Sequence, residues 1–213
     1  MKISEIFRSI QGESTYAGLP CTFIRTAGCS LRCSYCDTEY ALDPGDGDEM
    51  SLNSILSTAS SLGLDFVELT GGEPLEQPET PELCRLLLNQ NATVLLETGG
   101  ALPLDSVPAD VIKILDVKTP SSRMEKRNCW QNLSRLSPRD EIKFVIGARQ
   151  DFDWSVQVCR DRGLFGRYTI LFSPVFSNMP PIELAQWILT EDIPVRLQLQ
   201  IHKYIWPPDA RGV

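Results

Sequence analysis

The chain has 213 residues, of which 42% are hydrophobic and 23% are charged, as in an ordinary globular protein with one sizeable core. Its formal net charge of −8 argues against non-specific binding to the nucleic-acid backbone, which needs clustered lysine and arginine. No apolar run approaches the ~18 residues of a membrane span, and the early acidic Glu5 argues against a signal peptide. We therefore expect one domain over residues 1–213, with neither nucleic acid nor membrane as a partner.

The N-terminal part predicts a strand, a loop and a second strand. Residues 2–9 carry apolar side chains at strand spacing, and the glycines and Pro20 that follow them mark a loop. Residues 21–26 predict the first core strand, in which Arg25 is unusual, because a buried unpaired arginine costs free energy. Arg25 therefore either points to solvent or pairs with an anion, and the residues alone leave both open.

Three cysteines follow this strand with the spacing C-x3-C-x2-C, at Cys29, Cys33 and Cys36. Iron–sulfur clusters usually have four cysteine ligands, so three imply a distant fourth ligand or an iron left open to bind another group. A structural zinc site would need a fourth Cys or His nearby, and the single histidine lies at position 202. The odd total of seven cysteines argues against a disulfide framework, and free thiols with a cluster fit the reducing cytoplasm.

A second glycine-rich stretch comes directly after the next predicted strand. Residues 65–69 predict a buried strand that runs into the sequence Gly71-Gly72-Glu73-Pro74. Glycines let a ligand approach the backbone, free N–H groups can bind an anion, and a carboxylate can receive an ammonium group. By itself, however, a Gly-Gly-Glu sequence is as easily a turn.

The rest of the chain alternates strands with helices. The further predicted strands are 92–97, 111–115, 141–146, 169–172 and 194–199. The predicted helices are 51–63, 79–89, 129–136, 151–162 and 181–189. Strands separated by helices indicate βαβ units and a parallel sheet, in which the loops after the strands carry the chemistry. About six core strands are too few for a closed eight-stranded barrel. We therefore expect an α/β fold, an open partial (β/α)6-type barrel with a mostly parallel sheet.

The cysteine spacing and its flanks resemble the radical S-adenosylmethionine (SAM) superfamily, since an apolar strand leads in and Tyr35 precedes the last cysteine. In that superfamily three cysteines bind a 4Fe-4S cluster, and the open iron chelates the amino and carboxylate groups of SAM. The resemblance implies that Cys29, Cys33 and Cys36 ligate such a cluster in a barrel of the radical SAM kind. The Gly-Gly-Glu sequence resembles the motif that holds the SAM amino group.

The whole chain further resembles the 7-carboxy-7-deazaguanine synthase family of this superfamily. The resemblance rests on residues 9–13 with 18–20, residues 23–25 with 28–38, and residues 200–203 with Trp206. It implies a lyase of queuosine (deazapurine) biosynthesis that contracts the ring of 6-carboxy-5,6,7,8-tetrahydropterin to 7-carboxy-7-deazaguanine with loss of ammonia. A 5′-deoxyadenosyl radical from SAM would abstract hydrogen from substrate C6, and no side chain is assigned a catalytic role.

The same resemblance implies a role for residues that match the family's motifs. The expected substrate contacts are Ile10, Gln11, Gly12, Glu13, Arg25, Thr70 and His202. Arg25 would pair with the substrate carboxylate, whereas His202 taken alone is as easily a structural histidine. The expected SAM contacts are Tyr35, Cys36, Asp37, Gly71, Gly72, Glu73, Asp116, Val117, Lys118, Ser173 and Pro174. Thr38 matches the position of a Mg²⁺ ligand, and a hydroxyl suits that hard cation.

The resemblance also implies a cytoplasmic homodimer that takes electrons from a donor such as flavodoxin or ferredoxin. Some members end soon after the His-Lys pair, but this chain continues to Val213, so its terminus is assigned no role. Two other functions compete. Another small radical SAM enzyme, such as a glycyl-radical-enzyme activase, would carry the same cysteines but dock a large protein. A metal-binding or electron-transfer module would leave Arg25 and the glycine-rich strip without a purpose.

Overall fold

A computed structural model describes residues 1–63, 65–176 and 178–213 of the chain. Its strands are β1 (Lys2–Ile10), β2 (Pro20–Thr26), β3 (Asp48–Glu49), β4 (Phe66–Gly71), β5 (Thr93–Thr98), β6 (Ile112–Val117), β7 (Glu141–Ile146), β8 (Thr169–Pro174) and β9 (Arg196–Leu197). Its α-helices are α1 (Leu52–Leu62), α2 (Thr80–Asn89), α3 (Arg149–Asp161), α4 (Pro181–Glu191) and α5 (His202–Ile205). In the described ranges, no helix is long and apolar enough to cross a membrane.

The nine strands form one sheet in the order β3-β1-β2-β4-β5-β6-β7-β8-β9. Every pair from β2 to β9 is parallel, whereas β1 runs antiparallel to both β2 and β3. The interior strand β6 is buried along all six of its residues, as expected of a parallel strand covered on both faces. Because β3 and β9 do not pair with each other, the sheet stays open. The prediction of an open, mostly parallel partial barrel is confirmed.

The helices follow from local sequence signals as well as from burial. Helix α1 begins after Ser51, whose side chain accepts a hydrogen bond from the Ser54 N–H at 3.1 Å. It ends at Gly63, which has the positive φ of 112° that favours glycine there. Between these ends, Ile55 and Ala59 are fully buried in the main core. The apolar face of the helix thereby covers the outside of the sheet.

Two predicted elements take a different form in the structure, and two short elements, β3 and α5, were not predicted. The segment 129–136 forms a 3₁₀ helix over Trp130–Arg135 rather than an α-helix. Its Asn132 is buried and donates to the carbonyls of Gly100 and Leu102 at 3.3 and 2.9 Å, so the segment braces the connection between β5 and β6. The last strand covers only Arg196–Leu197 rather than 194–199, because it lies at the edge of the sheet, where strands are often short.

The loop after β1 closes the bottom of the partial barrel. The Tyr16 ring packs on the Phe66 ring with 5.1 Å between centroids, above a buried cluster of Leu95, Ile112 and Ile114. The Thr15 N–H donates to the Glu141 carboxylate at 3.1 Å and ties the loop to β7. With the bottom filled, the barrel interior opens at the carboxyl ends of the parallel strands, where the predicted motifs lie.

Candidate active site

A cavity of about 660 Å³ lies inside the carboxyl end of the partial barrel. Its wall includes Thr70 and Gly71 of β4, Asp116 of β6 and Val145 of β7. Small-molecule sites are usually roughly 300–1,000 Å³, and in parallel α/β folds they lie at this edge of the sheet. The cavity therefore has the size and the place of a ligand site.

The three cysteines line this cavity. They lie in a loop after β2, where the Gly28 N–H donates to the Ala41 carbonyl at 2.8 Å and the Cys29 N–H donates to Leu42 at 3.1 Å. Gly28 has a positive φ of 104°, which allows the chain to leave the strand so sharply. All three thiols are free, with Cys29 buried and the other two half-buried. The loop brings them to a shared space.

These three thiols suit an iron–sulfur cluster, in which each thiolate binds a different iron. Within the described ranges, no group of three His, Cys, Asp or Glu side chains is placed to hold a single metal ion. Burial raises the pKa of Cys29 to about 11, and it also raises the pKa of Cys33 and Cys36. The thiols therefore keep their protons until a metal replaces them.

The Gly-Gly-Glu strip lies against the cysteine loop and follows β4. A Cβ atom at Gly71 would overlap the backbone of Thr26, and one at Gly72 would overlap the backbone of Gly28. Only glycine therefore permits this close approach of the two backbone segments. Both glycines line the cavity, as predicted.

The Glu73 carboxylate holds the neighbouring loop instead of standing in the cavity wall. It is 1% exposed and accepts hydrogen bonds from the N–H groups of Leu75 at 3.0 Å and Gly99 at 2.8 Å, and from the Thr98 hydroxyl at 2.8 Å. Burial raises its pKa despite these donors. The predicted contact of Glu73 with SAM thus stays a prediction.

Further residues expected to bind SAM divide into two groups. Tyr35, Cys36, Asp37, Asp116 and Lys118 line the cavity. Val117, Ser173 and Pro174 do not stand in its wall, where the side chains that follow β8 are those of Val175 and Phe176.

Asp116 carries an acceptor that the protein leaves unused. One carboxylate oxygen, Oδ2, lies 3.1 Å from the Lys118 ammonium and 3.5 Å from that of Lys143. The other, Oδ1, is buried, and no hydrogen-bond partner reaches it in the described chain. A buried acceptor without a donor is costly, so this atom is suited to a ligand hydroxyl or N–H group.

The residues expected to bind the substrate come together in the same cavity. Ile10, Gln11, Gly12, Glu13, Arg25, Thr70 and His202 all line it. The Ile201 N–H donates to the Gly12 carbonyl at 2.9 Å, and a Cβ at Gly12 would overlap the His202 imidazole. Helix α5 therefore lies directly on the loop after β1, and His202 faces the cavity between them.

Arg25 pairs with an anion, which settles the alternatives left open by the sequence. Its Nε donates to the Glu5 carboxylate at 2.8 Å, and the Tyr40 hydroxyl donates to the same oxygen at 2.8 Å. The Arg25 and Glu5 side chains are only 17% and 15% exposed. The salt bridge uses Nε, and among the described residues no hydrogen bond to the two terminal nitrogens of this cavity-lining guanidinium is formed, so they suit a ligand.

A buried cluster of charges forms the floor of the cavity, and most of it was missed by sequence reasoning. Lys143 donates to Glu13 at 3.0 Å and to Glu97, and it lies 3.5 Å from Asp116. Burial lowers the pKa of Lys143, but these carboxylates outweigh burial and hold the pKa well above its usual value. Gln11 Nε2 donates to Glu68, which adds a fourth carboxyl group. The available signal was the presence of charged residues in three largely apolar strands: Glu68 in β4, Glu97 in β5, and Glu141 and Lys143 in β7.

Two features lie at the cavity mouth. The Thr38 hydroxyl donates to Asp37 at 3.1 Å, and Asp37 pairs with Lys203 at 2.6 Å; the Mg²⁺ site at Thr38 stays a prediction. The tail after α5, to which sequence analysis assigned no role, borders the cavity with Pro208, Asp209, Ala210, Gly212 and Val213. The Arg211 guanidinium lies 3.8 Å from the centre of the Tyr40 ring.

Comparisons with known proteins agree with this geometry. The radical SAM superfamily profile matches residues 23–188. The chain is 47% identical to a 7-carboxy-7-deazaguanine synthase of Chlorobaculum tepidum, over 100% of this chain and 97% of that protein. It is 41% identical to a protein of the same name from Koribacter versatilis, over the full length of both. The crystal structure of QueE from Escherichia coli shares the fold, with a TM-score of 0.75 and 21% identity over 93% of this chain and 92% of that one.

Proposed function

Since the chain belongs to the radical SAM superfamily and, within it, to the 7-carboxy-7-deazaguanine synthase family, we propose that it makes 7-carboxy-7-deazaguanine. The reaction is the ring contraction of 6-carboxy-5,6,7,8-tetrahydropterin with loss of ammonia. The observation that carries this proposal is one cavity lined by three free thiols, a guanidinium, a histidine and a cluster of buried charges. Residues 1–213 act as one domain in this proposal, because a single sheet supports the whole cavity.

The cluster end of the cavity would position the cofactors. When bound, the 4Fe-4S cluster and SAM supply the radical that abstracts hydrogen from C6 of the substrate. Cys29, Cys33 and Cys36 would hold the cluster, and the Gly71–Gly72 strip would let SAM lie against the backbone. The free Oδ1 of Asp116 would accept a hydrogen bond from SAM, while Lys118 fixes the other oxygen at 3.1 Å.

The opposite end of the cavity would hold the substrate and exclude water from it. Arg25 would receive the substrate carboxylate on its terminal nitrogens, since Glu5 already fixes Nε at 2.8 Å. The loop of Gln11 and Gly12 would hold the pterin ring, with Thr70 and His202 beside it. Every one of these groups binds or orients the substrate, so the chain contributes placement to the radical chemistry.

A Mg²⁺ ion at Thr38 is part of the proposal. The Thr38 hydroxyl lies in the cavity wall next to Asp37, and hard oxygen ligands suit this cation. Mg²⁺ keeps several water or substrate oxygens, so a single protein hydroxyl is sufficient when the substrate carboxylate completes the site.

The proposed assembly is a homodimer in the cytoplasm that receives electrons from a flavodoxin- or ferredoxin-like donor. Ile182 and Leu189 of α4 are 70% and 79% exposed next to the open edge strand β9, which offers an apolar surface to a second copy. All seven cysteines of the chain are free thiols, which suits a compartment where thiols stay reduced. The net charge of −8 gives no general affinity for nucleic acid.

The direct test is an anaerobic assay of the reconstituted, reduced protein with SAM, Mg²⁺ and 6-carboxytetrahydropterin, followed by mass spectrometry. We expect 7-carboxy-7-deazaguanine to form. If SAM is cleaved to 5′-deoxyadenosine but no deazapurine appears, the superfamily assignment holds and the substrate is wrong. A glycyl-radical-enzyme activase would give that second result, but a charged floor inside the barrel favours a small polar substrate over a docked protein.

A further inference from the structure

Glu68 differs from the other carboxyl groups of the cavity floor. Glu13, Glu97 and Asp116 each lie within 3.5 Å of the Lys143 ammonium. In the part of the chain that the structure describes, no cation lies within ion-pair distance of Glu68, whose hydrogen-bond partner is the neutral amide of Gln11. Its side chain lines the cavity, although the residue is only 3% exposed. The floor thus contains one carboxyl group whose charge the protein does not balance directly.

The surroundings of Glu68 favour a ligand that donates hydrogen bonds to it. Burial raises its pKa well above the usual value, and the neighbouring charges of Glu97 and Glu13 raise it further. Lys143 opposes this shift only in part. A pair of N–H donors from a ligand would compensate the buried carboxylate, as a buried charge requires.

The position of Glu68 matches one end of the proposed substrate. On β4, Glu68 and Thr70 share a face, and Thr70 is the register partner of Arg25. At about 3.3 Å per residue, Glu68 lies roughly 6.6 Å deeper in the barrel than the level at which Arg25 would hold the carboxylate. A fused two-ring pterin is somewhat longer than this from its 6-carboxylate to its amino end, and the long side chains of Arg25 and Glu68 can cover the difference. The stacked Phe7 and Phe23 rings, 5.0 Å apart, line the cavity at the same depth and give it an apolar wall.

We infer that Glu68 is the specificity-determining residue for the aminopyrimidinone edge of the substrate. Its carboxylate accepts hydrogen bonds from the ring N3–H and the 2-amino group, and Gln11 holds it in place. This inference rests on the proposed function. It identifies the aminopyrimidinone edge as the part of the substrate that the cavity floor recognises. An analogue with oxygen in place of the 2-amino group, the corresponding tetrahydrolumazine, presents an acceptor to the carboxylate and is rejected.

The test compares the two ring systems in anaerobic equilibrium binding to the reconstituted protein with SAM, without reductant. The proteins are wild type, Glu68→Gln and the control Glu141→Gln. Glu141 is another buried carboxyl group inside the barrel, but it bonds to Thr15 and does not line the cavity. Glutamine keeps the size of both side chains and removes the charge. SAM binding is measured in parallel, since a general loss of structure would weaken it as well.

We expect wild type and Glu141→Gln to prefer the 2-amino compound by at least about tenfold, as for a hydrogen bond to a charged group. In Glu68→Gln, binding of the 2-amino compound should weaken on the order of 10- to 100-fold. The preference should fall to about twofold, because the glutamine amide can donate to a 2-oxo group, and SAM affinity should not change.

Two results would overturn the inference: equal binding of both compounds by wild type, or an unchanged preference in Glu68→Gln. The wild-type comparison decides the matter even if the variant does not fold. If wild type fails to bind or convert the carboxytetrahydropterin at all, the proposed function is wrong and the inference falls with it. That outcome is distinct from conversion without discrimination, which would remove only the role of Glu68.

Discussion

The two parts of the proposed site are built in opposite ways. The part that would hold the cluster and SAM comes mainly from two contiguous stretches, residues 28–38 and 71–72, which lie at or just after the carboxyl ends of β2 and β4. The floor takes one charged residue each from the loop after β1 and from β4, β5, β6 and β7, namely Glu13, Glu68, Glu97, Asp116 and Lys143. Chemistry that depends on a local loop can be read from sequence, whereas chemistry that depends on strand register becomes visible only in the fold.

The largest expected effect is the loss of cluster binding when a cysteine ligand is removed. Changing Cys29, Cys33 or Cys36 to alanine should abolish cluster binding and therefore SAM cleavage, because a three-thiolate site has no spare ligand. Iron and sulfide content after reconstitution measures this loss. Cys129→Ser is the control, since Cys129 is a partly exposed free thiol that does not line the cavity. A normal cluster in any of the three alanine variants would contradict the assignment of ligands.

The next largest effect is expected when the shared cation of the cavity floor is removed. Lys143→Met leaves Glu13, Glu97 and Asp116 buried without their shared cation, which should cost about 3–5 kcal/mol in the free energy of unfolding. Denaturant unfolding measures this cost, and substrate binding should be lost as well. Lys113→Met is the matched control, because Lys113 is equally buried and pairs with Asp140 at 3.6 Å away from the cavity. That variant should lose stability but keep its affinity for substrate, and equal substrate loss in both would contradict the assigned role of the floor.

A smaller effect separates substrate binding from SAM binding. Arg25→Ala should weaken substrate binding at least about 30-fold, since truncating one partner of a buried charge pair costs about 2 kcal/mol or more. Cluster content and SAM affinity should remain those of wild type. Glu5→Gln should act in the same direction but less strongly, because it loosens the Nε contact without removing the guanidinium. Unchanged substrate affinity in Arg25→Ala would remove Arg25 from the site.

The smallest effect concerns the tail at the cavity mouth. Arg211→Ala removes the cation–π contact with Tyr40 at 3.8 Å, which is worth about 0.5–1 kcal/mol. We expect the KM for substrate to rise about two- to fivefold with little change in kcat, as steady-state kinetics would measure. A large fall in kcat would instead give the tail a part in the chemistry.

Much of the fold and one end of the site could be predicted from the sequence. The spacing of Cys29, Cys33 and Cys36, the alternation of strands with helices and the Ser51 cap are all local signals. The short β9 and the 3₁₀ helix at Trp130–Arg135 were missed, because their extent depends on pairing at the sheet edge and on the bonds of a distant loop.

The floor could not be predicted from local pattern, because it depends on register. Lys143 and Asp116 are partners across the β6–β7 ladder, and Glu5 and Arg25 are partners across β1 and β2. In the sequence, each of these pairs is indicated merely by charged residues within largely apolar strands. Glu73 lies in a motif that can be recognised from local sequence, but its bonding partner cannot. Its carboxylate accepts a hydrogen bond from the Gly99 N–H, in the loop after β5.

The most direct test of the account is whether the cavity brings C6 of the substrate to SAM. The reduced enzyme would be given 6-carboxytetrahydropterin deuterated at C6, and 5′-deoxyadenosine, SAM and product would be analysed by mass spectrometry. We predict that deuterium appears in 5′-deoxyadenosine or SAM while 7-carboxy-7-deazaguanine forms. Product without deuterium transfer, or SAM cleavage that ignores the substrate, would contradict a shared cavity with the cofactor at one end and the pterin at the other.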